Sequence, residues 1–350
     1  MVTQRRAAFD IGSGGTKLQV ADVAAGKLVR VVFAVEVPVM FALSWKTHGH
    51  LSDQVMLNGL GVLHELCAQA DRHGATAYTA IATEVFRKAP NGAAFLEQVL
   101  RATGLAVEVV TQDAEARLGF LTACAISPRP RSSIIAWDSG GGSFQISAER
   151  SGALAVYSGA LGSSVVTALM VEAVQRASLS AKCTPNPVSV EQAEELVRIL
   201  TTALPPAPTW LRGSAGVSAI GGPNSLFNSA AMVIRSESIG GDCADAAAPG
   251  SLADAEGFVV GARPVPISCK DVRSAVYARC GESDETLEAL GYSEPGLLVP
   301  KLCLLVAVME HAQLERIEFL PAIGACPGVL VDEERFGCGE RSWPPARLPS

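Results

Sequence analysis

The chain has 350 residues, of which 49% are hydrophobic and 18% charged, with a net charge of −7. The length favours two domains of ordinary size, and the apolar content supports a buried core and excludes a disordered chain. The acidic balance disfavours a nucleic-acid partner, and a polyanionic ligand would need a local basic patch working against the overall field.

An apolar run at residues 7–9 predicts the first strand, a glycine-rich turn follows, and residues 27–37 alternate as a strand that Pro38 ends. Residues 40–50 read as a loop, in which His48 and His50 are read as solvated side chains rather than metal ligands. Ser52 caps a helix with Val55, Leu63, Leu66 and Ala70 on its apolar face, stopping before Gly74. Residues 77–82 form a buried strand and 83–92 a short helical or irregular piece. A helix over 93–103 closes at Gly104, 105–110 is a strand, and 113–125 is a helix with Glu115 in its first turn. The basic, proline-rich stretch 127–132 marks the domain boundary. Strands alternating with helices make the first domain, 1–126, α/β.

The second domain spans 127–340. It opens on another apolar run and glycine turn, then a helix over 163–176. A capping box, Ser189-Val190-Glu191-Gln192, starts a helix that runs to about 200. The strand 217–220 ends in Gly221-Gly222, and the small, polar composition of 228–258 reads as a long loop or insertion. Helices follow near 270–279 and 301–312, the latter apolar enough to be core, and then a strand at 317–320. Residues 341–350 read as a tail.

The nine cysteines include no Cys-x-x-Cys pair. They fit free thiols in a reducing compartment better than a disulfide framework or a zinc site. No apolar stretch precedes the first strand, so no signal peptide is expected, and the longest clean apolar run, 302–309, is too short to span a bilayer. The reading is a soluble, cytoplasmic protein without a membrane partner.

One unit is written twice. Asp10-Ile11-Gly12-Ser13-Gly14-Gly15-Thr16 and Asp138-Ser139-Gly140-Gly141-Gly142-Ser143 each follow an apolar run and each lead into an alternating segment. An acid ends the first strand in both. Glycines let backbone N–H groups converge on an anion with no Cβ in the way, and Ser13, Thr16 and Ser143 add hydroxyl donors. An aspartate beside a phosphate is repulsive unless it holds a cation or orients a water. Two such loops facing each other would clamp a phosphate chain and a metal. Ordinary glycine hairpins are the plainer reading, and the repetition of the acid at one offset argues against it.

Taken with three further segments, the sequence resembles the exopolyphosphatase/guanosine-pentaphosphate phosphohydrolase (Ppx/GppA) family of the actin–Hsp70–sugar-kinase superfamily. Asp10-Ile11-Gly12-Ser13 resembles the family's first phosphate loop and Asp138 to Ser143 its second. Ala82-Thr83 through Arg87 to Asn91-Gly92, Glu115-Ala116-Arg117-Leu118, and Gly221-Gly222 are similar to its other motifs, in the same order. The resemblance implies two ribonuclease-H-like (actin-like ATPase) domains with a cleft between them, and hydrolysis of phosphoanhydrides. Terminal orthophosphate would leave inorganic polyphosphate or guanosine penta- or tetraphosphate. It makes Glu115 the general base and Arg87 the residue that holds the transferred phosphoryl group. Asp10 and Asp138 would hold Mg²⁺. Gly12, Ser13, Gly14, Gly15, Thr16, Gly140, Gly141, Gly142, Ser143, Gly221 and Gly222 would bind the substrate. Long members of the family dimerise, which leaves a homodimer open.

Departures stand beside the matches. The family's Ser-Thr-Glu is Ser143-Phe144-Gln145 here, and glutamine is a poorer Mg²⁺ ligand than glutamate. An expected arginine is Val165, and a family Arg-Glu-Gly is replaced around Ala325-Cys326-Pro327-Gly328. These losses keep a second reading in play, a non-catalytic regulator that binds phosphate or nucleotide. A kinase on the same fold is the third, against which the Glu115 and Arg87 segments speak.

Overall fold

The computed structural model describes residues 2–178, 184–239 and 263–337. The described residues divide into two units, the first comprising 2–128 with 322–337, the second 129–178, 184–239 and 263–321.

In the first unit, β1 (Gln4–Ile11), β2 (Gly15–Ala24), β3 (Lys27–Pro38), β4 (Ala77–Ala82) and β5 (Val107–Val109) form one sheet in the order β3-β2-β1-β4-β5. The β1, β4 and β5 strands run parallel, and the first three pair antiparallel. Side chains alternate across a strand, so β1 feeds two cores. Ala7, Phe9 and Ile11 pack with α1 (Phe41–His48), α2 (Asp53–Arg72), α3 (Glu84–Lys88) and α4 (Gly92–Thr103). Ala8, on the other face, packs with α5 (Gln112–Ile126). Full burial of each large apolar side chain there contributes roughly 1.5–3 kcal/mol.

The second unit holds α6 (Ser163–Leu169), α7 (Val190–Ala203), α8 (Leu226–Ile239), α9 (Cys269–Arg279), α10 (Asp284–Ala289) and α11 (Pro295–His311). Its strands are β6 (Ile135–Ser139), β7 (Phe144–Arg150), β8 (Ala153–Gly159), β9 (Val217–Gly221), β10 (Val265–Ser268) and β11 (Arg316–Pro321), in the order β10-β11-β9-β6-β7-β8. Read from β8, the first five strands repeat the order of the first sheet. The duplication extends to the hairpins. Ala25-Gly26 and Ser151-Gly152 both take positive φ, as a two-residue type I′ turn requires. Helix α11 is buried from Leu298 to Met309 and, Lys301 apart, apolar over that stretch, core as its composition indicates.

Several elements depart from the sequence reading. Residues 40–50 hold a helix, α1, whose start rests on long-range bonds: Ala42 N donates to Ser13 O at 2.9 Å. The region from 228 begins as helix α8 rather than a loop; 240–258 lies outside the described residues, as does the tail at 341–350. The helix expected over 163–176 is α6 followed by a π-helical turn, Met170–Val174.

The chain divides at Pro128, and residues 322–337, which the sequence reading places in the second domain, pack in the first unit. The reason is local chemistry. In α12 (Cys326–Val331), Cys326, Val329 and Leu330 join the core of Ala8, Ile81 and Leu118. Just beyond it, Asp332 accepts from Arg117 at 2.5 Å and 3.1 Å. In α13 (Glu333–Gly337), Glu333 pairs with Arg6. Gly328 marks the closest approach: a methyl there would sit 2.2 Å from Leu118 O and 2.7 Å from Thr122 Oγ1. Gly328→Ala is therefore expected to destabilise the protein by about 1–3 kcal/mol through overpacking, read as a lower urea midpoint. Among the described residues, no helix is long and apolar enough to cross a membrane.

Candidate active site

In the first unit the parallel strands β1, β4 and β5 end at one edge of the sheet, and the candidate residues cluster on the segments that leave it. This carboxyl edge is where open α/β sheets place their ligands. Asp10 stands next to the end of β1, Arg87 on α3 after β4, and Glu115 in the first turn of α5 after β5. Thr111 caps α5, accepting from Ala114 N, and so sets the helix start that carries Glu115.

Arg87 and Glu115 meet. Arg87 Nη2 donates to Glu115 Oε2 at 2.6 Å and Nη1 to the Val110 carbonyl at 2.5 Å. Their side chains are 27% and 23% exposed, so the pair is half-buried and open to a ligand. Each terminal guanidinium nitrogen carries a second N–H beyond the one spent here. Arg117, in the same motif, works away from this pair and ties α5 to Asp332 and Glu334.

The two glycine loops share one detail. Gly12 N donates to Gly15 O at 2.9 Å and Gly140 N to Ser143 O at 2.9 Å, each at the same offset from its aspartate. Those two amides are thus spent inside the turn. The glycines of these loops do not take positive φ, so what they supply is space. A methyl on Gly12 would meet Gly15 O and Lys17 Nζ at 3.1 Å, and one on Gly15 would meet Glu36 Oε1 at 2.9 Å. Ser13 and Gly14 stay accessible, whereas Thr16 is fully buried and its hydroxyl has no hydrogen-bond partner. The expected Thr16 donor is sealed inside β2.

Asp10 is 5% exposed. Its Oδ2 accepts from Ala325 N at 2.9 Å, and its Oδ1 is buried without a hydrogen-bond partner. Gly324, at φ +54, leaves room for this contact: a Cβ there would fall 2.2 Å from Oδ2.

Lys17, to which no motif points, lies directly across the hairpin from Asp10 and 3.5 Å from Glu36. Burial works against its charge, but the carboxylates of Asp10 and Glu36 outweigh it and hold the ammonium up at about 12. The signal was the register itself, since a tight turn between Ile11 and Thr16 sets Lys17 opposite Asp10. Burial pushes the neighbouring Cys326 thiol well above its ordinary value, so it stays protonated and is no nucleophile.

In the second unit, Asp138 ends β6 half-buried, and β9 runs parallel beside it into Gly221-Gly222. The second loop is packed from behind by α6, where Ser163 N and Ser164 N donate to Gly140 O and Gly141 O at 3.0 Å and 2.9 Å. Ser143 Oγ accepts from Gln145 Nε2 at 2.9 Å. Val165, where an arginine was expected, packs on the core. Gly222 O accepts from Ser225 N at 3.0 Å, closing the third turn.

A magnesium ion fits part of this chemistry. Asp10 Oδ1 is a hard oxygen donor without a hydrogen-bond partner, with the Lys17 ammonium as its nearest described cation across the hairpin. Among the described residues no group of three or more His, Cys, Asp or Glu side chains could hold a metal. An ion here would therefore lean on substrate oxygens and water, as Mg²⁺ commonly does. His48 and His50 belong to no such group, His50 Nδ1 lying 2.9 Å from His48 O.

The model of the Ppx/GppA phosphatase family matches residues 19–200, a stretch that includes Arg87, Glu115, Asp138 and the second glycine loop. No curated protein matches the chain. Among solved structures, the Aquifex aeolicus PPX-GPPA enzyme is 20% identical, with 95% of this chain and 100% of that one covered and a TM-score of 0.72. An exopolyphosphatase from Cytophaga hutchinsonii is 17% identical, with 95% and 98% covered and a TM-score of 0.72. Nucleoside triphosphate hydrolases from Neospora caninum are represented at 10% identity, 96% and 93% covered, with a TM-score of 0.60. At these identities the likeness speaks for the fold, a mixed α/β architecture of two actin-like ATPase units.

Proposed function

This chain belongs to the Ppx/GppA phosphatase family, and from that premise we propose that it releases terminal orthophosphate from inorganic polyphosphate or from guanosine penta- or tetraphosphate. Its class is that of hydrolases acting on phosphoanhydrides. The observation that carries the finer reading is the Arg87–Glu115 pair at 2.6 Å.

Glu115 takes the proton of the attacking water and aims its oxygen at phosphorus. Arg87 holds the carboxylate by one N–H and the Val110 carbonyl by another, and offers the second N–H of each terminal nitrogen to the phosphoryl oxygens, whose charge it stabilises as the terminal bond breaks. In the first unit the accessible Ser13 and Gly14 are the loop residues that bind phosphate oxygens; in the second unit that part falls to Gly141 and Gly142, with Gly221 and Gly222. Lys17 keeps the Asp10 carboxylate from repelling those oxygens. Mg²⁺, held through Asp10 Oδ1, would supply further neutralisation of phosphate charge. The cytoplasm is the proposed setting, in keeping with Cys67, Cys303 and Cys326 as buried free thiols.

Two observations favour a second reading, a regulator that binds the same compounds without turnover. Gln145 hydrogen-bonds Ser143 in place of an acidic ligand, and Val165 offers no charge to the second loop. One experiment separates the two: orthophosphate release from long-chain polyphosphate and from guanosine pentaphosphate, each with Mg²⁺ and with EDTA. Release in Mg²⁺ that falls with EDTA is the expected result. A raised melting temperature with either compound and no release would instead establish the regulator.

A further inference from the structure

Lys301 stands in an otherwise apolar helix and is 3% exposed. Its Nζ donates to the Asn224 carbonyl at 2.7 Å and to Glu294 Oε2 at 2.5 Å. Burial lowers its pKa, and Glu294 recovers part of the loss. A buried ammonium in such a helix is a stability liability, because desolvation commonly exceeds what one ion pair returns. Methionine of similar volume would fill the space without that penalty.

Its partner explains what the charge does. Asn224 lies in the turn that carries β9 from Gly221-Gly222 into α8. The Asn224 side chain is also held, with Oδ1 accepting from Ser293 Oγ at 2.9 Å. The rest of the turn is tied within itself, Asn228 Nδ2 donating to Pro223 O at 2.7 Å. At Gly221 a methyl would fall 2.4 Å from Ser225 Cβ. Beside these local bonds, a buried cation ties the backbone of this turn to α11.

We propose that Lys301 is a positioning residue for the phosphate substrate, holding Asn224 so that the Gly221-Gly222 backbone is ordered before the substrate arrives. The proposal rests on the reading of that turn as a substrate surface. Order present beforehand need not be created on binding, so removing it weakens binding and leaves the chemical step alone.

The test uses the full chain with Lys301→Met and Lys301→Arg. For Lys301→Met, KM for polyphosphate is expected to rise about tenfold with kcat held within about twofold. Its Tm should equal or exceed the parent's. Lys301→Arg, which keeps a donor for Asn224 O, should recover most of the KM. Amide hydrogen exchange over residues 224–228 should quicken in Lys301→Met and return toward the parent's rate in Lys301→Arg. Opposite movement of KM and Tm is what a merely structural lysine would not produce. Unchanged KM with unchanged exchange overturns the proposal. Should the parent release no orthophosphate, it is the hydrolase reading that has failed, and exchange alone still decides the clamp, unaltered protection sinking it. If Lys301→Met does not fold cooperatively, Lys301→Gln, uncharged and one atom shorter, is read in the same two ways.

Discussion

Glu115→Gln is expected to lower the rate of orthophosphate release by about 10²–10⁴-fold, the range a positioned general base contributes. The substitution is close to isosteric. Glutamine keeps an oxygen for Arg87 Nη2 to reach, so the Arg87–Val110 contact and the start of α5 survive. Only the basicity of the side chain is lost. Stability should therefore hold, since exposed or half-exposed ion pairs contribute only about 0–1 kcal/mol. KM for polyphosphate should stay near that of the parent, because in the proposed mechanism Glu115 meets water rather than phosphate. Rates from single-turnover assays, with Tm measured beside them, check the expectation. Release that persists in the mutant within a few fold would remove Glu115 from the mechanism.

Arg87→Ala should act on both kinetic constants. In the proposed mechanism the guanidinium stabilises charge that grows on the phosphoryl oxygens, and loss of one such donor costs about 10²–10³ in kcat. It also gathers Glu115 and the Val110 carbonyl into one arrangement, so the base loses its anchor as well. Some ground-state contact with the phosphate goes too, and KM should rise. Arg87→Lys should recover little, because a point charge cannot hold carboxylate, carbonyl and phosphate from one planar fork. Isothermal titration with polyphosphate adds a discriminating outcome. Weaker binding by Arg87→Ala, alongside parent-like binding by Glu115→Gln, assigns the two residues separate roles. Parent-like kinetics in Arg87→Ala would leave the pair as an ordinary surface contact.

Much of the frame was legible where local chemistry decides it. Ser52 and Ser189 cap their helices, the latter with both bonds of the capping box, and Gly104 closes α4 with φ +73. The duplicated aspartate and glycines announced two sheets of one topology. The elements that escaped are those formed by contacts distant in sequence. Helix α1 lacks a side-chain cap, and its start is fixed by the Ser13 carbonyl. Helix α12 follows a glycine turn and is held by a carboxylate some three hundred residues earlier, Asp10 to Ala325.

The same division runs through the site. Arg87 and Glu115 could be picked out as motif residues, but their meeting depends on the strand order β1-β4-β5, which no local pattern states. Lys17 and Lys301 drew no attention because no motif points to either: one stands in an alternating strand, the other in an apolar helix. Their meaning comes from register in one case and from the neighbouring turn in the other.

The first unit borrows its closing pieces from residues 322–337, and this bears on how the protein is made. A nascent chain that has reached Pro128 holds the sheet and α5 but not α12. The Ala8, Leu118 and Leu121 face then stays uncovered, and Asp332 is not yet there for Arg117. Roughly 200 further residues must be polymerised before the missing helix exists, about 10–40 s at about 5–20 residues per second. During that interval the second unit can complete itself, from Arg129 to Pro321. Order of synthesis and order of completion are thereby reversed: the half begun first is finished last. Chaperones that bind apolar surface have their natural opening in that delay, at the bare face of the first sheet.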